Sequence, residues 1–133
     1  IAIDPFQEKQ WKNNGIKNVN EAKLDKDFIL MQLKSYRALP ILLEKNKKFD
    51  FIFIDGMHLF DYTLVDFFYS DLLLKKGGII AVDDVNMIGL KKLIYYLRNN
   101  YKHYKFKGIY YGRVAIFIKK SSDKREWDYH KKF

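Results

Sequence analysis

Five side chains in this sequence have the chemistry for a reactive site: Asp4, Asp55, Asp83 and Asp84, with His58 three residues after Asp55. Each aspartate directly follows a short apolar run: Ile1-Ala2-Ile3, Phe51-Ile52-Phe53-Ile54, or Ile79-Ile80-Ala81-Val82. Polar loops put acidic residues at many strand ends, so one such aspartate means little. Four at one edge is a different matter, because the carboxylates repel unless a cation, a proton or a ligand hydroxyl separates them. Asp55, Asp83 and Asp84 offer the oxygen donors that a hard divalent ion prefers, with positions left for water and substrate. An imidazole such as that of His58 is a competent base near neutral pH.

The elements that must position these residues can be read from periodicity. Residues 1–4 form a short strand that Pro5 stops. The polar stretch 6–24, interrupted by Asn13-Asn14-Gly15, predicts two short helices or a helix and a loop. Phe28 to Leu33 has the length of a strand, and helical spacing follows through Tyr36, Leu39, Leu42 and Leu43. Phe49 to Asp55 is the strongest strand, almost continuous in apolar residues, as expected when both faces of a parallel strand are covered. A helix is predicted over 59–74, closed by Lys75-Lys76-Gly77-Gly78 with cations at its C-terminus and glycines beyond. A strand over 79–82 and a helix from Gly89 to about Asn100 come next. Two strands, 104–110 and 113–119, are separated only by Tyr111-Gly112, which is hairpin spacing. This βα alternation predicts an α/β fold with a mostly parallel sheet and an antiparallel C-terminal hairpin. In such sheets the ligand lies beyond the carboxyl ends of the strands, where the aspartates sit.

Composition sets the outer limits. A chain of 133 residues with 48% apolar and 17% aromatic content buries a real core, so disorder is excluded, and the lack of cysteine excludes a disulfide scaffold. No apolar run approaches the roughly 18 residues of a membrane span. The missing cysteines fit a reducing compartment, and the expected location is cytoplasmic. A net charge of +9 favours anionic partners, but the Lys and Arg residues are scattered along the chain. A nucleic-acid reader clusters its basic residues around exposed aromatics. Nucleic acid is therefore not the favoured partner, and an aromatic-rich sheet edge is compatible with a homodimer.

The segments FDFIFIDGMHLFDY and LLLKKGGIIAVDDV, within Phe49 to Val85, carry a family resemblance. They resemble strands four and five of class I S-adenosylmethionine-dependent methyltransferases, and more narrowly the metal-dependent small-molecule O-methyltransferases such as the catechol and caffeoyl-CoA enzymes. The resemblance implies a Rossmann-like fold, S-adenosylmethionine and Mg2+ or another divalent cation as cofactors, and a small-molecule hydroxyl as methyl acceptor. It assigns Asp55, Asp83 and Asp84 to the metal and His58, where the catechol-type enzymes have Lys, to proton abstraction. It places Asp4 on the cofactor ribose and Ser35 and Tyr36 near the adenine, with Asp55 also counted at the cofactor edge. No Asn-Pro-Pro-aromatic motif follows the strong strand, which argues against amino-methylation of bases. No G-x-G occurs either, so the order of motifs predicts that the first βα unit, with its glycine-rich cofactor loop, is absent. The expected division is a methyltransferase-like domain over 1–120 and a basic polar tail over 121–133. The alternatives are a catalytically inactive fragment of such a domain and a basic nucleic-acid-binding module.

Overall fold

The computed structural model describes all 133 residues, Ile1–Phe133, in two compact units, Ile1–Ile41 and Leu42–Phe133. In the first unit β1 (Ala2–Ile3) pairs in parallel with β2 (Leu30–Met31), and α1 (Asn14–Glu21) lies between them in sequence. The Asn13-Asn14-Gly15 signal marks the start of α1 and not a break. Asn13 takes a left-handed conformation at φ 58, and the Gly15 N–H donates to Gln7 Oε1 at 2.8 Å. The helix α2 (Ser35–Glu44) begins in this unit and continues into the next.

The second unit contains β3 (Phe49–Ile54), α3 (Phe60–Leu73), β4 (Leu74–Val82), α4 (Ile88–Asn100), β5 (Tyr104–Tyr110) and β6 (Val114–Lys119). Its four-stranded sheet has the order β3-β4-β6-β5. β3 and β4 are parallel, with Ile54 opposite Val82, while β6 is antiparallel to both β4 and β5. The α/β class and the antiparallel hairpin are as expected, but the four-stranded sheet is mixed and not mostly parallel, because β6 inserts beside β4 and leaves β3-β4 its one parallel pair. No helix is long and apolar enough to cross a membrane.

One boundary differs from the periodicity reading. Helix α3 stops at Leu73, and Leu74 is already the first residue of β4. Phe49 pairs with Leu74 and Phe51 with Ile79, so Lys75 to Gly78 form an excursion within the strand pairing. Gly77 has φ 86, and a Cβ on Gly78 would lie 2.8 Å from Leu74 Cγ and 2.9 Å from the Lys75 carbonyl oxygen. The glycines do make the turn, but the cations closing the helix come from elsewhere. Lys119 Nζ on β6 donates to the carbonyls of Asp71 and Leu74, and Lys48 Nζ donates to that of Leu72. They occupy the negative end of the helix dipole, where backbone carbonyls lack intrahelical partners. Lys75 instead pairs with Asp50 at 2.9 Å.

The core lies between the sheet and the pair α3 and α4. Phe67 is fully buried, with ring centroids 5.2 to 5.5 Å from Tyr101, Tyr104 and Phe117, and Ile80, Leu90, Leu93 and Leu97 complete the packing. Residues 121–133 are fastened to α4 of the same chain. The Lys131 N–H donates to Asn100 Oδ1 at 2.8 Å, Asn100 Nδ2 returns a bond to the Lys131 carbonyl, and the Phe133 ring lies 4.8 Å from that of Tyr96.

Beneath this segment is a buried polar cluster centred on Asp71. Its Oδ1 accepts from Tyr104 at 2.8 Å, lies 3.0 Å from Lys119 Nζ and is 3.3 Å from His103 Nε2. Burial alone would raise the carboxyl pKa, but hydrogen bonds from His103, Lys119 and Tyr104 outweigh it and hold Asp71 below the usual carboxylate range. Burial and the neighbouring Asp71 charge push the Tyr104 phenol upward. A carboxyl group whose folded pKa lies below its unfolded value, about 3.9, contributes stability at pH above that value and loses it as pH falls through the folded one. Asp71→Asn should therefore destabilise the chain at pH 7 by about 3 kcal/mol, because Lys119 loses its buried partner. In urea titrations the gap between wild type and variant should be constant above about pH 5 and narrow below about pH 4.

Candidate active site

Parallel pairing brings the carboxyl ends of β3 and β4 together. The Asp83 N–H donates to the Ile54 carbonyl at 2.9 Å, so Asp55 and the pair Asp83-Asp84 leave the sheet side by side. Beyond Asp55 the chain turns through Gly56 and reaches His58 before α3 begins. Asp84 adopts a left-handed conformation at φ 52. Such a conformation in a non-glycine residue is maintained by its surroundings. Here the Asp84 N–H donates to Asp83 Oδ1 at 2.8 Å and its carbonyl accepts from Met87 at 3.0 Å.

Three of the expected residues converge. His58 Nε2 lies 3.2 Å from Asp84 Oδ2 and 3.6 Å from Asp55 Oδ1. One ligand atom from each of Asp55, His58 and Asp84 fits within a 4.8 Å group. The Nε2 atom is shielded from solvent and makes no hydrogen bond of proper geometry, although two carboxylates face it. The two carboxylate oxygens are hard donors that suit a divalent cation, and the imidazole nitrogen beside them is left unmatched.

Asp83 is placed differently. Both its oxygens are taken by Arg113, with Nε on Oδ1 at 2.7 Å and a terminal nitrogen on Oδ2 at 2.6 Å. The same terminal nitrogen lies 2.8 Å from Asp84 Oδ1. The guanidinium holds the Asp83 carboxyl below the usual range, and the carboxylates raise Arg113 in turn. Arg113 was not among the residues singled out from the sequence. It is 29 positions beyond Asp84, and only the hairpin register carries it to this edge: β6 pairs with β4 so that Ala115 faces Val82, and the Val85 N–H donates to the Arg113 carbonyl at 2.9 Å.

The hairpin turn that delivers Arg113 is closed by its N–H on the Tyr110 carbonyl at 3.0 Å. Its two central residues, Tyr111 at φ 51 and Gly112 at φ 71, both have positive φ, the backbone twist that matches paired strands. This is the turn the sequence predicts at Tyr111-Gly112.

The remaining expected residues belong to the first unit. Asp4 follows β1 directly, its Oδ1 accepting from the Phe6 N–H at 2.8 Å and its Oδ2 from Gln7 Nε2 at 2.7 Å. Each oxygen keeps a further lone pair, so these bonds do not exhaust the carboxylate. Ser35 opens α2, and Tyr36 is exposed beside Lys34, whose Nζ lies 5.9 Å from the ring centroid.

The sequence profile of a family described as "Methyltransferase domain" matches residues 1–85, more than half the chain. The chain belongs to that family. Solved structures with the same fold as this methyltransferase domain include MycE methyltransferase from the mycinamycin biosynthetic pathway in complex with Mg, SAH and mycinamycin VI. It is 20% identical with a TM-score of 0.52, over 71% of this chain and 32% of that one. MycE in complex with Mg and SAH, in crystal form 1, gives 18% identity and the same TM-score and coverage. The apo structure of CalS11, a TDP-rhamnose 3'-O-methyltransferase of calicheamicin biosynthesis, is 17% identical with a TM-score of 0.62, over 87% of this chain and 56% of that one. The methyltransferase domain thus spans about a third of MycE and just over half of CalS11. No curated protein sequence matches it.

The turn that presents Arg113 offers a direct structural test. Gly112→Val places a β-branched residue at φ 71 and should cost about 1–2 kcal/mol, read as a lower urea midpoint with an unchanged slope.

Proposed function

We propose that this chain is part of an S-adenosylmethionine-dependent methyltransferase that transfers a methyl group to a hydroxyl oxygen of a small molecule, with help from a divalent cation such as Mg2+. The observation that carries the reading is the convergence of Asp55, His58 and Asp84 at the carboxyl ends of β3 and β4. The family match supports methyl transfer. MycE, with Mg, SAH and a macrolide bound, and CalS11, which acts on a TDP-rhamnose hydroxyl, support an oxygen acceptor on a sugar-bearing small molecule.

In this reading Asp55 and Asp84 hold the ion, with Asp83 as the third carboxylate the sequence assigns to it. When bound, a divalent ion supplies a lower pKa for the acceptor hydroxyl. His58 keeps its Nε2 lone pair for the proton, since a nitrogen that ligates metal cannot also act as base. As the O–H proton passes to Nε2, the oxygen attacks the sulfonium methyl in line. An O–CH3 bond forms, the S–CH3 bond breaks with its electron pair staying on sulfur, and S-adenosylhomocysteine leaves. Alignment supplies most of the rate. In the first unit, Asp4 is assigned the ribose hydroxyls of the donor, and Ser35 and Tyr36 its adenine. The methyltransferase-like domain is assigned to residues 1–120, with 121–133 as its tail.

Calorimetry of S-adenosylhomocysteine with the full-length protein that contains this chain, in Mg2+, should give saturable heat, and no heat at millimolar ligand would overturn the reading. In assays of methyl transfer from labelled donor to sugar hydroxyls, Asp55→Ala and Asp84→Ala should remove the magnesium dependence. His58→Ala should lower kcat by about 10^2- to 10^4-fold and remove the acid limb of the pH profile. An unaltered acid limb would show that His58 is not the base.

A further inference from the structure

Arg113 divides the acidic edge in two. Its guanidinium takes both oxygens of Asp83 and one oxygen of Asp84, and leaves Asp84 Oδ2 facing His58 and Asp55. The lone pairs that point at Arg113 are the ones a cation would need if Asp83 were to join its ligands. The guanidinium also brings a positive charge into a cluster of three carboxylates, which weakens the attraction for a second cation. Neither effect is permanent, because the Arg113 side chain is half exposed, at 50%. Its own charge can turn into water, and the buried Asp83 it leaves behind is then open to a cation as its new partner. Lys119 at Asp71 cannot do so, since both partners are buried there.

We infer that Arg113 is a built-in counter-ion that competes with a divalent cation for Asp83 and Asp84. In the cation-free chain it offsets part of the edge's negative charge and keeps two adjacent carboxylates from repelling each other. On cation binding it gives up Asp83, which then becomes the third carboxylate of the site. The inference rests on the reading above that the cluster takes a divalent ion. It reconciles the ligand set implied by the sequence, which includes Asp83, with a structure in which Asp83 is fully engaged by Arg113.

The test is calorimetric titration of Mg2+ into the full chain, comparing wild type with Arg113→Gln and Arg113→Lys, with thermal melts to show that each variant is folded. Removing the guanidinium should tighten Mg2+ binding by about tenfold at low ionic strength. Lysine, which cannot make the bidentate contact, should give an intermediate value. Equal or weaker binding by Arg113→Gln, with wild type still binding, would overturn the inference and leave the metal reading intact, since Arg113 would then be positioning the carboxylates. No binding by either protein would overturn the metal reading and the inference with it. Should Arg113→Gln fail to fold, equal or weaker binding by Arg113→Lys overturns the inference in the same way.

Discussion

Parallel pairing of β3 with β4 creates a charge problem that the rest of the second unit is organised around. Two strands running the same way must end at the same edge, and here both are followed by aspartates. Ile54 lies opposite Val82, so the sheet register leaves Asp55 and Asp83-Asp84 no freedom to separate along the strand direction. What remains adjustable is the backbone just past the strands. The left-handed turn at Asp84 lies in that stretch, where Asp84 Oδ1 shares Arg113 with Asp83 and Oδ2 faces His58. The antiparallel hairpin then supplies a guanidinium to one side, and the loop before α3 supplies an imidazole to the other.

The same molecule handles a second acidic centre in another way, and the contrast shows what marks a reactive site. Asp71 is buried, and its Oδ1 meets Lys119, Tyr104 and His103, groups drawn from β5, β6 and the loop after α4. Lys119 also closes the C-terminus of α3. Each partner is sequestered, so the arrangement is a clamp that joins helix, sheet and C-terminal segment. Its cations already match its carboxylates, and although His103 and Asp123 lie close enough to form a metal-sized group with Asp71, no charge remains for an ion to neutralise. At the β3-β4 edge, by contrast, one guanidinium stands against three carboxylates. An imbalance kept at an accessible edge is what a ligand can resolve.

Much of this was legible in the sequence because it depends on short-range pattern. The continuous apolar run at Phe51 to Ile54 can only be a strand, Tyr111-Gly112 can only be a tight turn, and a carboxylate that ends a strand of a parallel sheet is bound to reach its ligand edge. Asp55, Asp83 and Asp84 could be placed at one edge from these facts, though not the engagement of Asp83 by Arg113. The end of α3 was harder, because Lys75-Lys76-Gly77-Gly78 has the composition of a helix terminus yet the cations that cap the helix come from Lys48 and Lys119, which are distant in sequence. Periodicity cannot reveal a capping group contributed by another strand.

Arg113 was hidden for the same reason, and its case shows where pattern reading stops. A basic residue just after a tight turn is an ordinary feature of any hairpin, and with 25 Lys and Arg in the chain nothing in its neighbourhood sets it apart. Its significance lies in register, since β6 must pair with β4, and with Ala115 opposite Val82, before the residue two positions earlier is carried to the aspartates. A shift of one residue would reverse the facing of every side chain on β6, removing Ala115 and Phe117 from the core. The packing of those two fully buried side chains therefore fixes the position of Arg113, so a choice made by hydrophobic burial determines which cation meets Asp83. The net charge of +9 has little to say about this edge, because what governs it is one positive charge delivered by strand register.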